Sequence, residues 1–205
     1  IWELLKSLFV KSEKTRLAWL LIIATIPAVI VGVLLEKSAE SAFRSPRLVA
    51  INLTIVAILM LFAERYYHLH VKNPTKLGKT TRKQALIMGL SQAAAIIPGI
   101  SRSGSTITAG LFSGMDRVSA TRFSFLLGIP ITAGAILKVF TEPHIFQQLN
   151  SELSVVIIGV MTAFVSGLFA IRFLLRYLAR HSLAIFAYYR ITLSAIVLIA
   201  LALGA

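Results

Sequence analysis

The sequence predicts an all-α polytopic membrane protein, transmembrane helices plus a re-entrant helical hairpin, and three observations predict it. The chain is 57% hydrophobic and 14% charged, against roughly 45–50% and 25% for a soluble domain. Its apolar residues lie in long runs. Leu17–Leu35 is nineteen residues without a charge and Leu48–Ala63 is sixteen, where a span needs about 20. Its 21 basic residues, against 8 acidic ones, sit in short loops between those runs, as the positive-inside rule produces. A soluble domain is excluded, and the charge is no sign of nucleic-acid binding. With no cysteine, the chain has neither a disulfide framework nor a Cys-based metal site.

The elements follow in order. The opening Ile1–Lys14 is interrupted by Glu3, Lys6, Lys11, Glu13 and Lys14 and does not read as a signal peptide. The chain opens on Ile1, and the expectation is an N-terminally truncated, single membrane domain. Residues 17–35 form a first span, with Pro27 and Gly32 tolerated because neighbouring helices re-satisfy the backbone. Residues 48–63 form a second. A polar loop, Glu64–Lys83, follows, with Asn73-Pro74 and Gly78 as turn signals. Spans at 123–140, 153–178 and 183–205 complete the set.

Between them, 84–116 is apolar but broken by Pro98-Gly99-Ile100-Ser101-Arg102-Ser103-Gly104. Its halves, 85–97 and 106–115, are too short to cross alone at about 1.5 Å rise per residue. The loop charges decide how it runs. The N-terminal stub, loop 64–83, the Arg117–Arg122 region and loop 172–181 are basic, whereas loop 141–152 has no Lys or Arg. Placing every basic loop on the cytoplasmic side requires 84–116 to start and end on one side. It enters the membrane and returns.

The broken middle carries the chemistry. Gly99 and Gly104 permit backbone conformations closed to other residues, and Pro98 ends the first half-helix. Ser103, Ser105 or Thr106 can cap the second half-helix. Its N-terminus then aims free N–H groups and a positive dipole end into the membrane interior, an anion site. Arg102 adds a planar fork suited to phosphate, and an arginine at that depth normally marks function. One of the serine hydroxyls is a candidate nucleophile. A bland reading competes: a polar Gly/Ser loop outside the membrane.

Gln84-Ala85 through Gly89-Leu90-Ser91-Gln92, then Pro98-Gly99-Ile100-Ser101-Arg102-Ser103-Gly104-Ser105-Thr106, resembles the second signature of the undecaprenyl-pyrophosphate phosphatase (bacitracin-resistance) family. The likeness continues through Arg122–Leu127 and Ile129-Pro130 and returns at Phe186–Arg190. It implies a hydrolase of the bacterial inner membrane. Such an enzyme converts undecaprenyl pyrophosphate to undecaprenyl phosphate, resupplying the carrier lipid for peptidoglycan. It implies an inverted-repeat architecture with two re-entrant hairpins, of which 84–116 would be the second. It implies catalytic roles for Arg102, Ser101 and Ser103. Gly99, Gly104, Ser105, Thr106 and Gln92 would contact the substrate. It also implies a divalent cation, Mg or Ca, on glutamates of a first signature that this sequence does not contain. Asp116 is the one acidic residue near the motif, and none of the four histidines lies beside it. Half of an active site is therefore expected here.

A transporter or flippase for polyprenyl-phosphate lipid is the alternative, since broken helices around a midplane anion site also describe carriers. A phosphatidic-acid-type phosphatase is set aside for want of its Pro-Ser-Gly-His element. Elsewhere, Gly159, Ala163 and Gly167 are expected to form a helix-packing face. Arg172, Arg176 and Arg180 are expected to anchor by snorkelling. Arg190, interrupting an apolar run, is expected either to pair inside the bundle or to meet a lipid headgroup. A homo-oligomer is possible on this sequence.

Overall fold

The computed structural model describes residues 15–41, 45–141, 145 and 151–204. The N-terminal stub and most of loop 141–152 lie outside them. Among the described residues seven α-helices follow one another: α1 Thr15–Ser41, α2 Pro46–His70, α3 Arg82–Ala94, α4 Arg102–Phe112, α5 Arg117–Val139, α6 Leu153–Leu178 and α7 Ala184–Ala202. A single 3-10 turn, Leu77–Lys79, precedes α3. Among the described residues, α1, α2, α5, α6 and α7 are long and apolar enough to cross a membrane. Large apolar side chains such as Leu34, Ile158 and Phe169 are exposed on their outer faces, as lipid-facing residues are.

The inner faces meet in a core that includes Ala24, Ala57, Met60, Met88, Leu111, Phe123, Leu127 and Ala187. α2 and α7 run antiparallel, tied at mid-length where Thr54 Oγ1 donates to Ser194 Oγ at 2.8 Å and Ser194 donates to Ala50 O at 2.6 Å. α3 lies directly on α1. A methyl group added at Gly89 would fall 2.9 Å from Ala24 Cα, so only a small residue allows this crossing.

The basic loops converge at one end of the bundle, here called the base. Arg16 donates to Thr80 O at 3.0 Å, joining the start of α1 to the loop before α3. Glu64, near the end of α2, accepts from Arg117 Nε at 3.0 Å and from the Leu183 amide at 2.7 Å. It thereby joins the starts of α5 and α7. α3 and α4 form a hairpin that leaves the base and returns to it. Thr81 and Gln84 make a capping box at the start of α3. The Gln84 Nε2 group then donates to Ser113 O at 2.9 Å, at the end of α4. Thr75 N donates to Gly114 O at 2.8 Å and Asp116 N to Thr75 O at 3.2 Å, closing the hairpin mouth.

Two element boundaries differ from the sequence expectation. The first half-helix stops at Ala94 rather than Ile97. Ile96, Ile97 and Ile100 instead bond to the carbonyl three residues back, because a residue preceding proline avoids the α region. The second half-helix starts at Arg102, four residues earlier than expected. The expected packing face of α6 meets no described neighbour. No described atom lies within 4 Å of a methyl group built at Gly159 or Gly167. In lipid such a face has no hydrophobic drive to be covered.

Candidate functional site

The hairpin tip, residues 95–103, is pinned from three sides. Gly99 has φ +89 and sits so close to α2 that a methyl group there would fall 2.9 Å from Val49 Cα. Asn52 of α2 donates to Pro98 O at 2.9 Å. Arg190 of α7 donates from one terminal nitrogen to Gly99 O at 2.7 Å and Ile100 O at 3.3 Å.

Ser101 follows with φ 64 and ψ 109, the one described non-glycine residue with positive φ. Such a conformation costs of order 1–3 kcal/mol and persists only where its surroundings hold it. It turns the chain into α4 and makes Ser101 the N-cap, its Oγ accepting from the Gly104 amide at 3.2 Å. The cap is therefore Ser101, not Ser103, Ser105 or Thr106, and the strained φ explains why spacing alone did not find it. Capping satisfies Gly104. The amides of Arg102 and Ser103 have no intrahelical partner, and they carry the positive end of the helix dipole.

The motif's side chains divide between two faces. Ser101, Ser103 and Gly104 line a cavity of about 280 Å³ together with Arg190, Met60 and Tyr189. Arg102 turns the other way, toward α5. A methyl group at Gly128 would fall 2.7 Å from its Cζ. There Arg102 and Arg122 line a cavity of about 540 Å³. Gly128 lies eleven residues into α5 from Arg117, so Arg102 sits about 16 Å from the base.

The remaining candidates hold the tip. Ser105 donates to Ser91 O at 3.3 Å, joining the two half-helices. Thr106 is fully buried, donates to Arg102 O at 2.8 Å and meets Ser124 Oγ at 2.6 Å. Gln92 is buried at 3% exposure, and neither atom of its amide has a hydrogen-bond partner. An amide in that state needs a partner that the described residues do not supply.

Charge completes the picture. Arg190 is 8% exposed and its Nε has no partner. Among the described residues the ion pairs are those of Glu64, with Arg117 and with His68. Among the described residues no carboxylate faces Arg102 or Arg190. Asp116 is engaged elsewhere, capping α5 through the Ser119 amide at 2.9 Å. Nor do the described residues bring together three His, Asp or Glu side chains as a ligand set. A divalent cation requires several oxygen donors, and the described residues do not bring such a set together.

Three contributors to the site escape sequence reasoning: Gly128 as the platform for Arg102, Arg122 as its neighbour, and Glu64 as the strut beneath. Arg190 had a signal, a lone charge in an apolar run.

A broken helical hairpin pinned inside a bundle of helices long and apolar enough to cross a membrane, with guanidinium groups that meet no described carboxylate beside a helix N-terminus, defines a multi-pass membrane protein. The chain belongs to the bacitracin resistance protein BacA family, which it matches over residues 1–196. It is 46% identical over 187 residues to an undecaprenyl-diphosphatase of Moorella thermoacetica, covering 91% of this chain and 69% of that protein. It is 39% identical over 196 residues to one of Thermodesulfovibrio yellowstonii, covering 96% and 73%. Against one of Corynebacterium glutamicum it is 37% identical over 214 residues, covering 100% and 71%.

Proposed function

We infer that this chain hydrolyses undecaprenyl pyrophosphate, adding water across the phosphoanhydride to give undecaprenyl phosphate and inorganic phosphate, in the bacterial inner membrane. The carrier lipid is thereby returned to peptidoglycan synthesis. The relatives' names supply the substrate. The observation that carries the reading is the hairpin tip, where two guanidinium groups without carboxylate partners flank the start of α4.

In this reading 84–116 is re-entrant, which the hydrogen bonds closing its mouth at the base support. Arg102 holds the pyrophosphate through a bidentate fork. The amides of Arg102 and Ser103 and the dipole of α4 stabilise the charge that builds on the phosphoryl oxygens. Arg190 does two things: it fixes the Gly99 and Ile100 carbonyls, and it presents a positive edge to the cavity of Ser101 and Ser103. The tip is rigid before substrate arrives, so no reorganisation is required at the moment of reaction.

The test is phosphate release from undecaprenyl pyrophosphate in detergent, with and without added divalent cation. Arg102→Ala lowers kcat/KM by about 10²–10³-fold in a protein that still folds. Arg102→Lys is also poor, because a point charge does not replace the fork. Near-normal turnover in Arg102→Ala would remove the reading. Lipid binding without phosphate release from the intact protein would favour a carrier.

A further inference from the structure

The base end of α6 carries charge that the hairpin tip does not use. Arg172, Arg176 and Arg180 follow one another at intervals of four residues, so they share one face of the helix, and all three are exposed. They line a cavity of about 840 Å³ together with Phe169, Phe173 and Tyr177. The aromatic side chains form a row beside the arginines. Phe173 stacks on Tyr177 with ring centres 5.9 Å apart, and Tyr177 stacks on His181 at 4.4 Å. Tyr177 also meets Phe186 of α7 edge-on at 5.8 Å, which fixes the row to the bundle. Among the described residues no carboxylate pairs with any of the three arginines.

Depth and direction decide what this face meets. α6 has 26 residues, about 39 Å of helix, against a hydrocarbon layer of about 30 Å. Glu152 precedes it and keeps to the water at the far surface, so the boundary on the base side falls near Phe173. Arg172 lies at that boundary, and Arg176 and Arg180 lie in the headgroup layer, where lipid phosphates are. Phe169 and Phe173, at 66% and 64% exposure, cover the adjoining edge of the acyl layer. The two cavities at the hairpin tip touch α6 through Ile171, Leu174 and Leu175. At about 100° per residue those three project from the opposite side of the helix. The arginine face therefore looks away from the tip and into the bilayer.

We propose that the base end of α6 binds one anionic phospholipid of the surrounding bilayer. Its phosphodiester sits between Arg172 and Arg176, its headgroup beside Arg180 and its acyl chains against Phe169 and Phe173. Guanidinium forks match phosphate oxygens, and a cluster of basic residues at this depth attracts anionic headgroups. A zwitterionic phosphatidylethanolamine would bring an ammonium into the same positive field and is disfavoured. The lipid has a structural use. None of the membrane-crossing window of α6 is buried, so a phospholipid held against its base end and the aromatic row adds to what keeps α6 in place. A ligand that binds the folded state alone stabilises it.

The experiment is native mass spectrometry and thermal melting of the full chain, taken into detergent from phosphatidylethanolamine–phosphatidylglycerol vesicles. The wild type should retain a phosphatidylglycerol, and added phosphatidylglycerol, but not phosphatidylethanolamine, should raise its melting temperature. Replacing Arg172, Arg176 and Arg180 together by Gln should abolish both effects. The preference for phosphatidylglycerol should fall about five-fold per arginine and about 100-fold for the three. Arg65→Gln, Lys72→Gln and Lys83→Gln together remove the same charge from exposed positions elsewhere at the base and should change that preference by less than about two-fold. Equal losses in the two triple variants would overturn the proposal, since the charge would then act as a diffuse field. Retention of the lipid by the arginine variant would overturn it too. So would displacement of the lipid by an equal amount of undecaprenyl pyrophosphate, which would make the occupant the substrate, or by inorganic phosphate, which would make it a solution anion. A dimer lost in the arginine variant, with no lipid retained, would assign the face to a second copy of the chain instead.

Discussion

Glu64 and Arg190 are both buried charges on membrane-crossing helices, at 6% and 8% exposure, and they are treated in opposite ways. Glu64 is saturated. Arg117 grips it through Nε at 3.0 Å and a terminal nitrogen at 2.6 Å, and the Leu183 amide adds a third bond at 2.7 Å. Arg117 also stacks over Tyr67, 4.9 Å from the ring centre. Among the described residues Arg190 has two backbone carbonyls, a bare Nε and no carboxylate. A buried charge left open is costly unless something else completes it. One charge joins helices, and the other, in the function proposed above, meets the anion.

That contrast is breakable from each side. Removing Glu64 should have the largest effect on stability. Glu64→Ala leaves the half-buried Arg117 without its carboxylate partner and unties α2, α5 and α7, at a cost of about 3 kcal/mol, visible as a lower melting temperature in detergent. Arg190→Met should do the reverse. The variant removes a buried charge that has no described carboxylate partner but also its hydrogen bonds to the Gly99 and Ile100 carbonyls, so the melting temperature should change little, while phosphate release falls by about 10²-fold. A large loss of melting temperature in Arg190→Met with KM unchanged would make Arg190 a second strut. Gly128→Ala sharpens the picture on the other face. Its methyl group displaces the Arg102 guanidinium, and kcat/KM should fall about ten-fold with little change in fold. Ser101→Gly is the smallest change in stability. A glycine cap costs only a few tenths of a kcal/mol, and the relieved positive φ offsets it. Turnover should still drop, because the hydroxyl lining the cavity of Ser103 and Arg190 is lost.

Much of this was legible in the sequence because lipid imposes strong rules on composition. Apolar runs mark the long helices, and broken ones the hairpin, since irregular backbone at that depth survives only inside protein. Arg102 stood out for the same reason. Its direction did not. Consecutive residues on α4 project about 100° apart, so Arg102 and Ser103 face different cavities, and only the packing of Gly128 shows which. The Ser101 cap was hidden by a φ that serine seldom adopts. Gln92 was legible as a polar residue on the first half-helix, yet its unpartnered state depends on what lies around it in space. The α6 face is the opposite case, with no described neighbour at Gly159 or Gly167. Its small residues have the right spacing for helix packing, but spacing does not specify a partner.

Binding tests the central claim most directly, because it does not depend on turnover. Undecaprenyl pyrophosphate should raise the melting temperature of the wild-type protein and of Glu64→Gln by similar increments, and should fail to raise that of Arg102→Ala or Arg190→Met. An undiminished increment in both arginine variants would contradict the account, since the open charges at the hairpin tip would then not be what holds the anion.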